Sequence, residues 1–179
     1  TSATLTTATA TGTDLTGANL KLTTLTSLSA AGATLDDMFA FDSGPGNMII
    51  DAIVGWMTNG EMAFDDGGAI AARGAVHDGL LSELMRNPFV RQDPPKGAAR
   101  QLYGHKFSAG VRDRGRELGL SDEDLIATAT AFTAESIAFA YRKFVLPRAP
   151  VDEILLAGGG AKNITLTNML RQRLDPIPV

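Results

Sequence analysis

A carboxylate at the head of a glycine turn is the first feature of this chain that could do chemistry: Asp42 is followed by Ser43, Gly44, Pro45, Gly46 and Asn47. Glycine admits positive φ and lets a ligand come close to the main chain. A helix starting just after such a turn points unpaired N–H groups and the positive end of its dipole at the same space, which suits phosphate. A second turn of this kind runs through Gly158, Gly159 and Gly160, with Asn163 three residues on. Neither turn is a Walker A loop, and neither fits the Gly-x-Gly-x-x-Gly dinucleotide fingerprint. At the end of a strand, Asp42 could act as a general base toward water or a hydroxyl, or as part of a magnesium shell. The plainer alternative is an aspartate that caps its own turn.

These residues need elements to hold them. Residues 38–42 read as a short strand, and Asn47 as the side-chain cap of a helix. Its apolar positions Ile49, Ile50, Ile53, Val54 and Met57 recur at three- and four-residue spacing, and Gly60 stops it. A second helix is expected over residues 68–85, with His77 in its middle, Asp65 and Asp66 before it, and Asn87-Pro88 ending it. Residues 89–104 read as a long loop, of the kind that is more often functional than accidental. Helices are expected over 107–118 and, from the Ser121 cap and its acidic first turn, over 121–145. A strand over 151–157 leads into the second glycine turn, and a helix over 163–174 follows it. The Thr-rich start, with little charge, suits strands, chiefly over 21–28. Strands alternating with helices give an α/β layer. Two regions are expected: residues 1–37 as strands of the same lobe, and residues 38–179 as its main part.

Composition excludes several functions. A net charge of −4 and a pI near 5.1 argue against a nucleic-acid phosphate backbone as partner. With no cysteine and only His77 and His105, neither disulfides nor thiolate or multi-histidine metal sites are expected. No apolar run approaches the roughly 20 residues that cross a bilayer. No basic cluster and apolar stretch open the chain, so a cytosolic protein is expected. A start at Thr1 instead of Met points to a piece of a longer chain.

Four collinear segments carry a family resemblance. Residues 41–52, Phe-Asp-Ser-Gly-Pro-Gly-Asn-Met-Ile-Ile-Asp-Ala, resemble the Asp-Thr-Gly-Pro-Gly-Asn motif of anhydro-N-acetylmuramic acid kinases. Asn87-Pro88-Phe89, Pro94-Pro95-Lys96 and Arg100 are similar to that family's Pro-Tyr-Phe and Pro-Pro-Lys-Ser-Thr-Gly-Arg-Glu. The helix around residues 128–133 resembles its Ala-Thr-Leu-Thr-Glu-Leu-Thr-Ala segment. Residues 156–163 resemble its Cys-Gly-Gly-Gly-Ala/Ser-Arg/Lys-Asn turn. Ala99 and Gln101 stand where the family has Gly and Glu. The family's Gly-Thr-Ser-x-Asp-Gly phosphate loop does not occur.

The resemblance implies an α/β, ribonuclease-H-like lobe of the actin-like sugar-kinase ATPases, incomplete relative to the family. It implies an enzyme that uses ATP and Mg2+ to open the 1,6-anhydro bond with water and phosphorylate O6. Asp42 would then be the base that activates the water. Gly44, Gly46 and Asn47 would line the phosphate side, and Gly158, Gly159, Gly160 and Asn163 the nucleotide side. Lys96 and Arg100 would contact the sugar, since cations suit a phosphate or carboxylate. The implied partners are the sugar and ATP, and a homodimer is one assembly this allows. Two other readings stand beside it: a truncated, inactive homologue or nucleotide-binding remnant, and a plain structural domain.

Overall fold

Helix α6, Asp122–Ala140, is buried along almost all of its length, and the other helices are arranged around it. The computed structural model describes residues 8–9, 28–29, 39–97 and 100–179, and for residues 8–9, 28–29 and 100–101 the backbone alone. A helix that is apolar on all faces belongs in a core. The small residues of α6 allow this: Ala127, Ala129, Ala131, Ala134 and Ala138 are fully buried, and two of its threonines turn their hydroxyls back on the helix. Thr128 and Thr130 each donate to the carbonyl four residues back, at Asp124 and Ile126. Ser121 caps the helix as expected, its Oγ accepting from the Asp124 N–H at 3.1 Å.

Two short strands, β1 (Ala8–Thr9) and β2 (Leu28–Ser29), pair in parallel with Ala8 opposite Leu28. The rest of the strand expected over 21–28 lies outside the described residues. Helices α1 (Met48–Met57), α2 (Asp78–Leu84) and α5 (His105–Glu117) pack with α6 into the main core around Ile49, Ile53, Leu80, Val111 and Phe132. Helix α7, Ile164–Leu174, closes a second core on the other half of α6 through Leu166, Leu170 and Ile154. The long helix expected to residue 145 ends as α-helix at Ala140 and adds one π-helical turn, Tyr141–Val145, before the prolines.

Several expectations are corrected. The helix foreseen over 68–85 is broken into the 3₁₀ turns Asp66–Gly68 and Ala71–Arg73, an extended stretch, and α2. The buried Asp65 carboxylate accepts from the N–H groups of Ile70 and Ala71 at 2.8 and 3.0 Å, and so starts a separate turn. Gly74 is extended and so close to α6 that a Cβ there would lie 2.1 Å from the Glu123 carbonyl oxygen. His77 is therefore not mid-helix: its Nδ1 caps α2 by accepting from the Leu80 N–H at 3.0 Å.

The strands expected over 38–42 and 151–157 are not seen: residues 39–43 and 151–157 run extended without being strand. An extended segment becomes sheet only where a neighbour completes the ladder. Here Asp42 N–H bonds to the Lys96 carbonyl and Ile154 N–H to the Pro178 carbonyl. The two-residue alternation survives, with Ile154 buried and Leu155 exposed. The sheet of the expected α/β layer is thus not seen beyond the β1–β2 pair in the described residues. The expected loop over 89–104 contains two one-turn helices, α3 (Pro88–Arg91) and α4 (Arg100–Tyr103).

Candidate functional site

Helix α6 is the floor on which the Asp42 turn rests. Thr133 Oγ1 donates to the Gly46 carbonyl at 2.7 Å. One turn further along, Ser136 is fully buried, and its Oγ donates to the Thr133 carbonyl at 2.9 Å. Gly44 lies directly over it: a Cβ built there would come within 2.3 Å of Ser136 Oγ. Asp42 itself is 5% exposed. Its main chain is tied to the 88–97 segment, with Asp42 N–H donating to the Lys96 carbonyl at 3.1 Å. The turn is therefore held from below by α6 and from the side by Lys96.

The two glycine turns meet through Asn47. Its side chain does not cap α1, contrary to expectation. Instead the Asn47 amide lies against the second turn: a Cβ on Gly160 would sit 3.4 Å from Asn47 Oδ1, and one on Gly159 3.9 Å from Nδ2. Gly46 (φ +58°) and Gly158 (φ +83°) both adopt left-handed backbone, and a Cβ on either would meet nothing within 4 Å. Both turns thus leave open main chain toward a ligand, which fits the phosphates of a nucleotide. Among the described residues no cluster of three His, Asp or Glu could hold a metal ion. Magnesium that is bound mainly through substrate phosphates and one or two carboxylates needs no such cluster.

Asn163 is buried, and its Oδ1 caps α7 by accepting from the Leu166 N–H at 2.9 Å. The cap also packs against Gly68, and Thr165 Oγ1 donates to the Gly68 carbonyl at 2.7 Å. Asn163 thus shapes the second turn from behind. Lys96 is 7% exposed and donates to the carbonyls of Phe89 and Val90, each at 3.0 Å. Burial is the main pressure pulling it below the ordinary lysine range; Lys143 adds to this and Asp93 opposes it. Arg100 opens α4, and its side chain lies outside the described residues. Arg73 is a surface residue, 3.7 Å from Glu123.

Sequence reasoning placed Thr133 in a family-like helix segment but missed its contact with Gly46, and it missed Ser136 altogether. The available signal was the small residues at 127–131, 133, 134 and 136, which let another segment approach a helix closely.

Beside the turn, Met48, Asp51, Trp56, Tyr103 and His105 line an open cleft of about 540 Å³. Burial pushes the Asp51 carboxyl up to about 6 and the Tyr103 phenol up to about 12. For Asp51 the folded protein holds its proton more tightly than the unfolded chain, so stability falls as pH rises from about 4 to 6. Asp51→Asn is expected to flatten that slope. It should stabilise the protein at pH 7 by about 1 kcal/mol, less than the full shift because the group is half in water. Urea melts of both proteins at pH 4, 5, 6 and 7 check this; parallel pH profiles would count against it.

A family model described as anhydro-N-acetylmuramic acid kinase matches residues 9–179. A protein named anhydro-N-acetylmuramic acid kinase from Caldanaerobacter subterraneus is 38% identical over 148 residues, 83% of this chain and 37% of the relative. One of the same name from Bacillus cereus is 41% identical over 138 residues, 77% of this chain and 35% of the relative. A third, from Clostridioides difficile, is 37% identical over 145 residues, 81% of this chain and 37% of the relative. The matches place the chain among kinases. It belongs to the anhydro-N-acetylmuramic acid kinase family. The chain spans little more than a third of the length of these relatives. No described helix is long and apolar enough to cross a membrane.

Proposed function

We propose that the protein carrying this chain is an ATP-dependent kinase that opens 1,6-anhydro-N-acetylmuramic acid with water and phosphorylates O6. The observation that carries this reading is the juxtaposition of two open glycine turns beside a buried carboxylate, in a chain of this family. Asp42 takes a proton from water as the water oxygen bonds to the anomeric carbon. The C1–O6 bond breaks with its electron pair going to O6. ATP with Mg2+, when bound, would supply the γ-phosphoryl group that O6 accepts, the bond to the β–γ bridging oxygen breaking and ADP leaving. Gly44 and Gly46 leave the main chain close to the phosphates, and Asn47 holds this turn in register with residues 158–160. Preorganised positioning of this kind is most of what a phosphoryl-transfer enzyme contributes.

On this reading residues 38–179 are part of the C-terminal lobe of an actin-like, ribonuclease-H-like fold. Segments 39–43 and 151–157 run extended in it, and the parallel pair β1–β2 belongs to the same lobe. The working compartment is the cytoplasm, where amino sugars from wall turnover would be recycled.

The second reading is a nucleotide-binding homologue without turnover. One experiment separates the two. The natural protein that carries these residues is incubated with ATP, Mg2+ and the anhydrosugar, and sugar phosphate is measured alongside calorimetric ATP binding. Phosphorylation at O6 supports the kinase; ATP binding without product supports the homologue without turnover.

A further inference from the structure

Lys96 is a buried ammonium whose hydrogen bonds go to main-chain carbonyls, not to a carboxylate. Burying a cation is costly unless its charge is met. Here it is met in two ways. The carbonyls of Phe89 and Val90, in the one-turn helix α3, accept from Nζ at 3.0 Å each. The rings of Phe89, Phe144 and Phe41 surround it, with centroids 5.0, 5.0 and 5.7 Å from the nitrogen, within the range where a cation is drawn to a π face. Asp93, the nearby acid, is paired instead with Lys143 at 3.1 Å.

The three rings come from three separate parts of the chain. Phe41 precedes Asp42, Phe89 lies in α3, and Phe144 lies in the π-helical turn after α6. Phe41 and Phe144 also meet edge to face, with centroids 5.6 Å apart. The same lysine, through its own carbonyl, accepts the Asp42 N–H at 3.1 Å. Its side chain therefore fixes where its main chain runs, and its main chain fixes Asp42. Phe41 ties the preceding residue to the same cation. An apolar side chain of similar volume would avoid the desolvation cost, but it would leave the two α3 carbonyls and the path of residues 92–97 without this anchor.

We propose that Lys96 is a positioning residue for Asp42, acting from behind through a three-ring cage and not by touching substrate. The proposal deepens the reading of Asp42 as the base and rests on it for its catalytic meaning. Its structural part is testable without activity. In the natural protein that carries these residues, Lys96→Met fills the space and deletes the charge. Amide hydrogen exchange at Asp42 is expected to accelerate at least tenfold, while the amides of Ile53 and Ile126 in the core keep their protection. Turnover of the anhydrosugar should fall at least tenfold with KM for ATP changed less than threefold. Should Lys96→Met not fold, Phe144→Leu, which removes one ring and keeps the ammonium, takes its place with a smaller change in the same direction.

An Asp42 amide as protected as in the unaltered, folded protein overturns the proposal, whatever happens to turnover. Faster exchange at Asp42 together with an unaltered protein that makes no sugar phosphate upholds the link from Lys96 to Asp42 and removes the kinase reading instead. A Lys96→Met protein with unchanged KM for ATP, reduced sugar affinity and a protected Asp42 amide would mark Lys96 as a substrate contact.

Discussion

Replacing Asp42 by Asn is expected to lower turnover of 1,6-anhydro-N-acetylmuramic acid by roughly 10²–10⁴-fold, the range a positioned general base contributes. Asn has nearly the same shape as Asp but cannot take a proton from water. The backbone bond from residue 42 to the Lys96 carbonyl does not involve the side chain, so the turn should stay in place. The loss should therefore fall on kcat, with KM for ATP changed little, because an interaction used only in the transition state has been removed. Asp42→Glu keeps the base but moves it by one methylene. Displacements near 1 Å are enough to cost about 10²-fold in such sites, so it too should be slow. Steady-state kinetics of the natural protein with each substitution, alongside thermal melts, checks both. An Asp42→Asn protein that turns over at the unaltered rate would remove Asp42 from the chemistry.

How much of this could be read from the sequence depended on the range of the interactions. The helices were legible because their signals are local. Ile49, Ile50, Ile53 and Val54 mark one face of α1, and Ser121 with the acids after it marks the start of α6. The two glycine turns were legible for the same reason, since glycine and the residues beside it announce a turn without help from elsewhere. The break in the 68–85 region was not legible. It depends on Asp65 reaching forward to Ile70 and Ala71, and on Gly74 pressing on Glu123, a contact across 49 positions that no spacing reveals. The strands failed for a related reason, because alternation at Ile154 and Leu155 shows a two-faced extended chain but says nothing of the partner that would make it sheet. Within the site, Asp42, Gly44 and Asn47 were visible in sequence, whereas their supports were not. Thr133 stood only as part of a family-like helix segment, Ser136 as an ordinary helix residue, and nothing in the sequence announced that Lys96, read as a substrate contact, is buried among three rings.

Gly44→Ala is the second large effect expected, and its cause is space, since Gly44 is not in the left-handed region. The added methyl would lie 2.3 Å from Ser136 Oγ and 2.8 Å from Ser136 Cβ. That Cβ is fixed to the backbone of the buried helix α6, so the side that gives way must be the turn. Lifting it strains the bond from Thr133 Oγ1 to the Gly46 carbonyl and carries Asp42 with it. Overpacking of this kind costs about 1–3 kcal/mol, and the displaced base should cost about 10²-fold in turnover. Ser136→Gly removes both clashing atoms at roughly 1 kcal/mol for a glycine inside a helix. The double variant Gly44→Ala with Ser136→Gly should therefore recover most of the turnover lost by Gly44→Ala alone. Its stability should remain near that of Ser136→Gly, giving a coupling of about 1 kcal/mol or more in a double-mutant cycle. Gly46→Ala provides the contrast. A methyl there meets nothing within 4 Å, but the residue has φ +58°, so its cost of about 1 kcal/mol comes from backbone conformation and Ser136→Gly should not relieve it. Chemical melts and turnover of the three single variants and both double variants decide the matter: if Ser136→Gly rescues Gly46→Ala as well as it rescues Gly44→Ala, the contact with α6 is not what holds the Asp42 turn.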